Sequence, residues 1–587
     1  MRWQLRKADS QQVEALAREL NLPVALARLL VVRGIRTAEE AHKFLSPSPE
    51  DLHSPWLMAG LRPAVERLRA AIARGETALI YGDYDVDGTT AIVILKTALE
   101  LCGGRVEYHV PHRILEGYGM RDEVIEQAAD RGIRLIISVD TGIRAFAAAE
   151  TAARCGIDLI VTDHHLPQAD GIPKALAVVN PNQHGCEYPC KSLCGAGVAF
   201  KIAQALLVES GRERLLPSFL KIVAIATIAD AVPLTGENRV FARLGLEGLR
   251  TPVNAGLRAL LANCQLDGSR SLSAGDVAFR VAPRLNAAGR MDIAERVIQL
   301  FTEKDAGKAA EMAMQLDQLN GDRQQQEQRI MDEIQEKMEA SPELRSAYCI
   351  VIEGEGWHRG VIGICASRVV ERYYRPALVL SCEQGEAHGS GRSIMPFHLL
   401  EALESCSELF TRFGGHSHAV GCALPVERIP ELRLRLDRYA RQRLTPKDLI
   451  PVLEYDAEVS LDDVRHDFWL ALQRLEPFGS GNPVPVFVAR NAQLIQPARI
   501  VKEKHLKLRA LGARPTPGGP FQRAQDGVGW HMAGRITQQP LLAGDALDLA
   551  FSVDYNQHPD FAGVQLNLLD FARVAPVAAG ATAAAES

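Results

Sequence analysis

The sequence predicts an α/β protein with a parallel-sheet domain, a long connecting helix, a second α/β domain and a C-terminal antiparallel β-barrel. Short apolar strands alternate with helical stretches from about residue 76 to residue 234, which predicts a mostly parallel sheet covered by helices. Short alternating segments separated by Gly, Pro and Asn turns begin near residue 451, and this pattern is typical of a small barrel. With 587 residues, of which 47% are apolar, the chain can bury several cores.

A charged segment separates the two predicted α/β domains. Residues 302–340 carry apolar side chains at helical spacing, with a lapse at 321–327, which favours a helix joining two lobes over a coiled-coil partner. The chain ends in low-complexity Ala and Gly, typical of disorder. The expected boundaries are a helical N-terminal segment at 1–55, the first α/β domain at 56–301, the connecting helix at 302–340, the second α/β domain at 341–450, the barrel at 451–574 and a disordered tail at 575–587.

Three carboxylates follow the first predicted strand, at 78–82. Asp83, Asp85 and Asp87 occupy alternate positions, so in an extended segment they share one face and converge. Carboxylates this close repel one another unless cations separate them, and hard oxygen ligands favour Mg²⁺ or Mn²⁺. A solvated turn is the alternative. A calcium-binding loop is excluded, because the twelfth position, which needs Glu, is Ile94.

Later segments of the same region also end in acids. A lone Asp at a strand end is usually a helix cap, but a carboxylate crowded against two imidazoles is costly to assemble without a ligand. An acid that ends a long apolar segment is costly to bury for the same reason, and a metal would offset that cost. The positions are Asp140 at the end of the predicted strand 135–140, Asp163 at the end of the predicted strand 159–163 with His164 and His165 following it, and Asp230 after the apolar segment 222–229.

Eight motifs occur in order along the chain. They are Asp-Tyr-Asp-Val-Asp-Gly at 83–88, Ser-Val-Asp-Thr-Gly at 138–142, Thr-Asp-His-His at 162–165, Ile-Ala-Asp-Ala-Val-Pro-Leu at 228–234, Pro-Arg-Leu-Asn-Ala-Ala-Gly-Arg-Met at 283–291, the segment 356–368, Gly-Ser-Gly-Arg-Ser at 389–393 and Gly-Gly-His-Ser-His-Ala at 414–419. From about residue 52 to residue 573 the chain resembles the DHH phosphoesterase superfamily and, within it, the family of single-strand-specific 5′ to 3′ exonucleases. Eight motifs in one order make coincidence a poor explanation.

The resemblance implies degradation of single-stranded DNA to mononucleotides by two-metal-ion hydrolysis, in DNA repair and recombination. It implies two divalent cations, Mg²⁺ or Mn²⁺, with Asp140 between them. Asp83 and Asp163 are expected as catalytic groups that orient ligands, and His165 as a contact of the scissile phosphate or the leaving oxygen. The implied metal ligands are Asp85, Asp87, Asp140, His164 and Asp230.

The resemblance also implies contacts to the substrate. Arg113 is expected to hold the terminal 5′ phosphate. Glycines beside cationic residues in the second α/β domain, which resembles the DHH-associated domain, let backbone amides approach a phosphate closely. The expected contacts of the substrate backbone are Arg290, His358, Ser390, Arg392 and His416.

For the C-terminal barrel, the resemblance implies an oligonucleotide-binding fold. Cations and an aromatic side chain are what such a barrel uses on single strands, whereas the alternative is an ordinary solvated barrel face. The candidates are Lys502, Lys504, Lys507 and Trp530, with His505 and Arg509 beside them.

Composition limits the partners. The net charge of −6 excludes a protein that simply coats nucleic acid, so a polyanion site must be a local channel. The N-terminus lacks the apolar core of a signal peptide and no apolar run approaches bilayer length, which favours the cytoplasm and no membrane contact. Eleven scattered cysteines suit a reducing compartment. Cys186, Cys190 and Cys194 favour apolar packing over a zinc site.

Two other functions remain open on the sequence. One is a related phosphodiesterase acting on short oligonucleotides or cyclic dinucleotides, although such an enzyme would not need the barrel. The other is an inactive nucleic-acid-binding replication scaffold, which would have lost acidic ligands that this chain keeps. The resemblance further implies a monomer, with a single-strand-binding protein and a helicase as partners.

Overall fold

The computed structural model describes residues 1–113, 115–117, 119–266, 271–291, 293–513, 523–556, 558 and 562–574. The chain forms two compact units, Ser48–Pro451 and the two chain ends, Met1–Pro47 with Val452–Ser587. The tail at 575–587, expected to be disordered, lies outside the described residues. Every helix in the described part is too short or too polar to cross a membrane.

The N-terminal segment contains the predicted helices and one strand that the sequence did not predict. Its helices bury apolar faces in the core of the barrel, to which both chain ends contribute. The strand pairs in parallel with residues 452–455. The elements are β1 (Arg2–Leu5), α1 (Ser10–Leu20), α2 (Val24–Val32) and α3 (Ala38–Leu45).

The first α/β domain is built on a five-stranded parallel sheet. The strands lie within two residues of the predicted ones, and all but the edge strand β3 are largely apolar because helices cover both faces. Its elements are α4 (Leu61–Arg74), β2 (Thr77–Tyr81), α5 (Val86–Leu101), β3 (Arg105–His109), α6 (Asp122–Asp130), β4 (Leu135–Val139), α7 (Phe146–Arg154), β5 (Asp158–Thr162) and β6 (Ala177–Val179). In the order β3-β2-β4-β5-β6, the chain adds β3 on one side of β2 and then adds β4 and the later strands on the other side. Open α/β sheets place their binding sites at such a switch point, which here lies between β2 and β4.

Helices follow the sheet and lead to the second domain. They are α8 (Gly195–Glu209), α9 (Leu216–Ala229), α10 (Gly236–Gly248), α11 (Ala255–Asn263), α12 (Ala274–Asp276), α13 (Ala282–Met291), α14 (Glu295–Thr302), α15 (Ala306–Ala340) and α16 (Pro342–Ser346). The long helix α15 is unbroken, as predicted. Where its apolar stripe lapses, buried Arg323 pairs with Glu327 at 2.8 Å and bonds Asn320, so a polar network replaces apolar packing.

The second α/β domain has a mixed sheet in the order β10-β11-β9-β8-β7. Only β7 and β8 run parallel, and the other neighbours are antiparallel. Its elements are β7 (Ile350–Glu355), α17 (Ile362–Tyr373), β8 (Ala377–Glu383), β9 (Glu386–Arg392), α18 (Leu399–Glu404), β10 (Arg412–Gly415), β11 (Ala419–Pro425) and α19 (Ile429–Arg443).

The C-terminal region is a barrel that β14 closes by pairing with both β18 and β16. It is not wholly antiparallel, because β17 and β19 run parallel, and within the region of expected short strands β17 ends at Gly529 and is followed by a short helix. The elements are β12 (Val452–Tyr455), β13 (Ala457–Glu458), α20 (His466–Gln473), β14 (Phe487–Leu494), β15 (Arg499–Val501), β16 (His505–Leu511), β17 (Gln525–Gly529), α21 (Gly534–Thr537), β18 (Ala546–Asn556) and β19 (Gly563–Arg573).

Candidate active site

The three aspartates after β2 do not form the predicted extended segment. Helix α5 begins at Val86, so Asp85 caps it by accepting a hydrogen bond from the Gly88 amide (3.0 Å), and Asp87 lies in its first turn. Gly88 is required because a Cβ there would lie 2.6 Å from the carbonyl oxygen of Asp83. A tight turn, rather than strand alternation, therefore brings the carboxylates together.

Asp140, His164 and Asp230 reach the same place from other elements. Asp140 follows β4 with a φ of 58°, and its Oδ1 lies 3.1 Å from Nε2 of His164. The same nitrogen lies 3.8 Å from Asp87 and 3.9 Å from Asp230. Asp230 follows helix α9, which is the structure that the apolar segment 222–229 adopts.

The buried acids form a cluster that the protein alone does not neutralise. Burial raises the pKa of Asp83 to about 8 and that of Asp230 to about 9, and neighbouring carboxylates contribute to both shifts. Burial also raises the pKa of Asp85 and Asp140, again with help from neighbouring carboxylates. Oδ1 of Asp83 and Oδ1 of Asp140 accept no hydrogen bond from the described residues.

The donor set of this cluster fits divalent cations. Three groups have ligand atoms within 4.8 Å of one another: Asp83 with Asp85 and Asp140, Asp87 with His164 and Asp230, and Asp140 with His164 and His165. Carboxylate oxygens with an imidazole nitrogen suit Mg²⁺ or Mn²⁺, and a cation would supply the charge and the contacts that the bare acids lack. Asp140 and His164 each belong to two of the groups.

Asp163 differs from the other acids because its hydrogen bonds are complete. Its Oδ1 accepts from the amides of His164 (2.7 Å) and His165 (3.0 Å), and its Oδ2 accepts from the amide of Ile143 (2.9 Å). Its Oδ1 also lies 2.7 Å from Nδ1 of His165. Burial alone would raise the pKa of Asp163, but these bonds and the His165 charge bring it below its usual value. Asp163 therefore holds the backbone of both histidines and the ring of His165.

An arginine pocket of about 510 Å³ lies beside the acid cluster. The guanidinium of Arg113 lies 4.9 Å from the ring centre of Tyr84, which stands between Asp83 and Asp85 in the chain. Arg290 donates to the carbonyl of Gly360 (3.2 Å), and Arg392 donates to Oγ of Ser390 (3.2 Å). The first residues of α17 also line the pocket, so a helix N-terminus adds to its attraction for anions. The structure thus brings together Arg113, Arg290, Ser390 and Arg392.

The two predicted histidine contacts lie elsewhere. His416 lines a separate cleft of about 560 Å³, with Asp163, His165 and the apolar Phe146. His358 precedes the pocket residues Arg359 and Gly360, and its Nδ1 accepts from the Gly360 amide at 3.1 Å, so it shapes the loop without lining the pocket. His416 is thus separate from the pocket of Ser390 and Arg392, and its expected contact with the substrate stays a prediction.

Comparison with known proteins places this geometry in a family. The chain matches the family models "DHH family, N-terminal domain" at 77–227, "DHHA1 domain" at 346–442 and "RecJ OB domain" at 455–570. It is 36% identical to the single-stranded-DNA-specific exonuclease RecJ of Dickeya dadantii, over 93% of this chain and 95% of that one. The chain belongs to the RecJ family.

Two further RecJ proteins extend the comparison. RecJ of Bacillus subtilis is 41% identical over 86% of this chain, which spans 64% of that longer protein. The crystal structure of RecJ from Thermus thermophilus in complex with Mn²⁺ superposes with a TM-score of 0.81 at 29% identity, covering 98% of this chain and 80% of that one. The parallel-sheet domain, the second α/β domain and the barrel of the predicted fold are confirmed.

In this RecJ family member, one face of the barrel strand β16 carries His505, Lys507 and Arg509 at alternate positions. At one end of the row, Lys502 and Lys504 lie in the β15–β16 turn, and the exposed ring of Trp530 lies 4.8 Å from that of His505. At the other end, a cleft of about 540 Å³ is lined by Lys507, Arg509, Arg465, Arg523, His466 and Tyr555.

An aromatic cluster at this cleft was missed on the sequence. The ring of Trp469 lies 4.8 Å from that of Tyr555 and 5.5 Å from that of His466. His466 and Trp469 are three residues apart in α20, a spacing that would have placed them on one helix face. Tyr555 comes from β18, and no local pattern connects it to α20.

The sequence also missed two arginines and one histidine of the arginine pocket. Arg359, His388 and Arg412 line it with the predicted residues. His388 could have been found, because it extends the alternation of Ser390 and Arg392 along one strand face.

The cysteines behave as packing residues. Sγ of Cys186 accepts from the Ala59 amide (3.4 Å), and Cys194 is buried against Oγ1 of Thr227 (3.7 Å). Within the described ranges, no group of potential metal ligands includes a cysteine.

Proposed function

We propose that the chain hydrolyses single-stranded DNA from its 5′ end and releases mononucleotides. The observation that carries this is the adjacency of the acid cluster and the arginine pocket, which meet at Tyr84 between Asp83 and Asp85. A pocket that binds a terminal phosphate beside a hydrolytic centre fixes the distance between the strand end and the bond that is cut. That distance would set the product at one nucleotide. The 5′ polarity rests on the family resemblance.

The acid cluster would hold two divalent cations, manganese or magnesium. Asp140 would lie between them, and Asp83 would complete one site, a closer role than the sequence gave it. When bound, such cations supply activation of a water and neutralisation of charge on the phosphate. The remaining ligands in this proposal are Asp85, Asp87, His164 and Asp230.

His165 would act on the scissile phosphate. Burial by itself lowers the pKa of an imidazole, but the hydrogen bond and charge of Asp163 raise the pKa of His165 above its usual value. The ring therefore stays protonated at neutral pH more readily than a free histidine, and it can donate to a phosphate oxygen or the leaving oxygen. Asp163 fixes the ring and supports its charge.

Arg113, Ser390 and Arg392 would bind the terminal 5′ phosphate, with Arg290 behind them. Burial, and then the charges of Arg113 and Arg323, lower the pKa of Arg290 to about 10, so an anion in the pocket would relieve a real repulsion. The cleft containing His416 and Phe146 would receive the rest of the strand.

The barrel would bind single strands by phosphate neutralisation and base stacking. Lys502, Lys504, Lys507 and Trp530 lie on or beside the cationic face of β16, and the Trp469 cluster adds a stacking surface at its far end. A cytoplasmic location, a monomeric state, and partnership with a single-strand-binding protein and a helicase also belong to this proposal.

Digestion of end-labelled oligonucleotides tests the function. Single-stranded and duplex forms of one sequence are labelled at each end in turn and incubated with Mg²⁺, Mn²⁺ or a chelator. We expect mononucleotides from the 5′ end of the single strand only, and no product with chelator. Products that appear first from the 3′ end, or equal cutting of the duplex, would overturn the proposal.

A further inference from the structure

The arginine pocket carries more positive charge than one terminal phosphate needs. Five guanidinium groups line it, and none forms an ion pair with a carboxylate of the described residues. A terminal phosphate carries roughly two negative charges at neutral pH. About three positive charges would then lack a partner, in addition to the N-terminus of α17. The five are Arg113, Arg290, Arg359, Arg392 and Arg412.

The pocket has two levels along β9. Ser390 and Arg392 form the inner level, together with Arg113 and Arg290, which face the acid cluster. His388 shares their strand face, and alternate residues of a strand lie about 7 Å apart. Arg412 of β10 is in register with Ala423 of β11, which pairs with His388, so Arg412 lies on the same face with one strand between them.

Arg359 completes the outer level. Burial lowers the pKa of His388, and the charges of Arg359 and Arg412 lower it further, which places both arginines around this ring. Two carboxylates oppose them: Glu386 lies 3.2 Å from Nε2 of His388, and the charge of Glu383 also acts on this ring. Neither carboxylate lines the pocket, whereas Arg359 and Arg412 both do, and these two arginines are separate from the groups assigned to the terminal phosphate.

Two glycines keep the floor between the levels open. Gly421 of β11 is in register with Ser390, and Gly414 of β10 is in register with Gly421. A Cβ added to Gly414 would meet no atom within 4 Å, and one added to Gly421 would meet only a carbonyl oxygen at 4.0 Å. An extended anion can therefore lie flat on the sheet from Ser390 towards Arg412.

We propose that the outer level is a second anion subsite, formed by Arg359, His388 and Arg412, which accepts the further phosphates of a strand with a 5′ di- or triphosphate end. The subsite rests on the function proposed above, in which the inner level holds the phosphate next to the first sugar.

The chemistry of the cut is the same for these strands. Water adds to the first internucleotide phosphorus, and the bond from that phosphorus to the 3′ oxygen breaks. The first nucleotide leaves as a nucleoside 5′-triphosphate, and its 3′ oxygen takes up a proton and becomes a hydroxyl. The shortened strand keeps the attacked phosphorus as a new 5′ monophosphate, which the inner level alone can hold in the next round.

The test uses three oligonucleotides of one sequence with a 5′ hydroxyl, monophosphate or triphosphate and a 3′ fluorophore. Anisotropy with chelator present reports binding to the full chain without turnover. We expect the triphosphate strand to bind about fivefold to tenfold more tightly than the monophosphate strand, because charged hydrogen bonds at a partly exposed site are weakened by solvent. With Mn²⁺ present, the first product should be the nucleoside triphosphate.

Two variants and one control separate the outcomes. R412Q and R359Q should each remove the preference for triphosphate and leave monophosphate binding unchanged, whereas R438Q, on the exposed face of α19, should change neither. Equal binding of the two strands by the unmodified chain, or an equal loss for all three strands in R412Q, would overturn the subsite. A dinucleotide as first product would also overturn it, because the outer level would then hold a second nucleotide. Failure of the proposed function is distinct, since the monophosphate strand would then not be degraded.

Discussion

The two sheets of Ser48–Pro451 hold opposite charges and hold them in different ways. The parallel sheet places its acids in turns beyond the carboxyl ends of β2, β4 and β5, where the carboxylates from these separate turns lie close together. The mixed sheet places its cations on its face, at alternate residues of β9 and across to β10. One arrangement builds a compact centre for small cations, and the other builds an extended floor for a chain of phosphates.

Each region is unfavourable without its ligand. Burial among like charges raises the pKa of Asp83 to about 8 and lowers that of Arg290 to about 10. Both shifts oppose the charged form, so keeping groups of one sign together lowers the stability of the fold. The difference lies in what relieves the repulsion: cations for the acids, and phosphates for the arginines.

The largest effect is expected from removing the shared ligand of the acid cluster. Asp140→Asn keeps the shape but removes a charge from two ligand groups. We expect turnover on single strands to fall by more than the ~100-fold typical of residues that only orient ligands. The metal-free variant should melt no lower than the parent, because carboxylate repulsion is relieved.

Asp130→Asn, at the exposed end of α6, is the matched control and should change neither property. Turnover at saturating Mn²⁺ and thermal melting with chelator are the two measurements. More than about a tenth of the parent activity in Asp140→Asn would refute its place between the two cations, since loss of an orienting group alone already costs about tenfold or more.

The next effect concerns stability and compares the metal-free and metal-bound protein. The folded-state pKa values of Asp83 (about 8) and Asp230 (about 9) lie above the ordinary value of 3.8, so the metal-free folded protein binds more protons than the unfolded chain between those limits. Its stability should therefore fall as pH rises from about 5 to about 8. Mn²⁺ at about a hundred times its dissociation constant should add ~2.7 kcal/mol.

Melting curves at about pH 5.5, 7 and 8, with chelator and with Mn²⁺, check this. The gain from Mn²⁺ should grow with pH, because protons and cations compete for the same oxygens. A metal-free protein that gains stability across this range would show that the acids are stabilised by protein groups and do not need a cation.

The arginine region should show a smaller effect that depends on the substrate end. Arg392→Gln removes the charged donor beside Ser390. We expect KM for a 5′-phosphorylated strand to rise about tenfold or more, since a charged hydrogen bond contributes ~1.5 to 3 kcal/mol, and KM for a 5′-hydroxyl strand to change little. R438Q again serves as the control. An equal rise for both strands would mean that Arg392 attracts phosphates in general and does not recognise the terminus.

The sequence predicted the parallel sheet and the acid cluster better than it predicted the arginine pocket. Strand ends are local features, so Asp140 and Asp163 could be placed from apolar runs alone. The extended segment expected for Asp83, Asp85 and Asp87 was wrong, because helix α5 already begins at Val86. Arg359 and Arg412 come from loop and edge positions whose meeting depends on strand order, which no local pattern encodes.

The barrel supplies a third and weaker kind of contact. Here the contribution of charge to single-strand affinity can be measured apart from the contribution of base stacking. Trp469→Ala removes the indole that packs against Tyr555 and His466, and Leu470→Ala on the same helix is the control. Base stacking contributes ~1 to 3 kcal/mol per base, so single-strand affinity should fall by about tenfold. Because an indole neutralises no phosphate, the slope of affinity against salt should stay the same, whereas Lys504→Gln should flatten it. Anisotropy titrations from low to high salt measure both quantities. If Trp469→Ala changed the slope as Lys504→Gln does, the aromatic cluster would act by arranging cations and would not be a stacking surface.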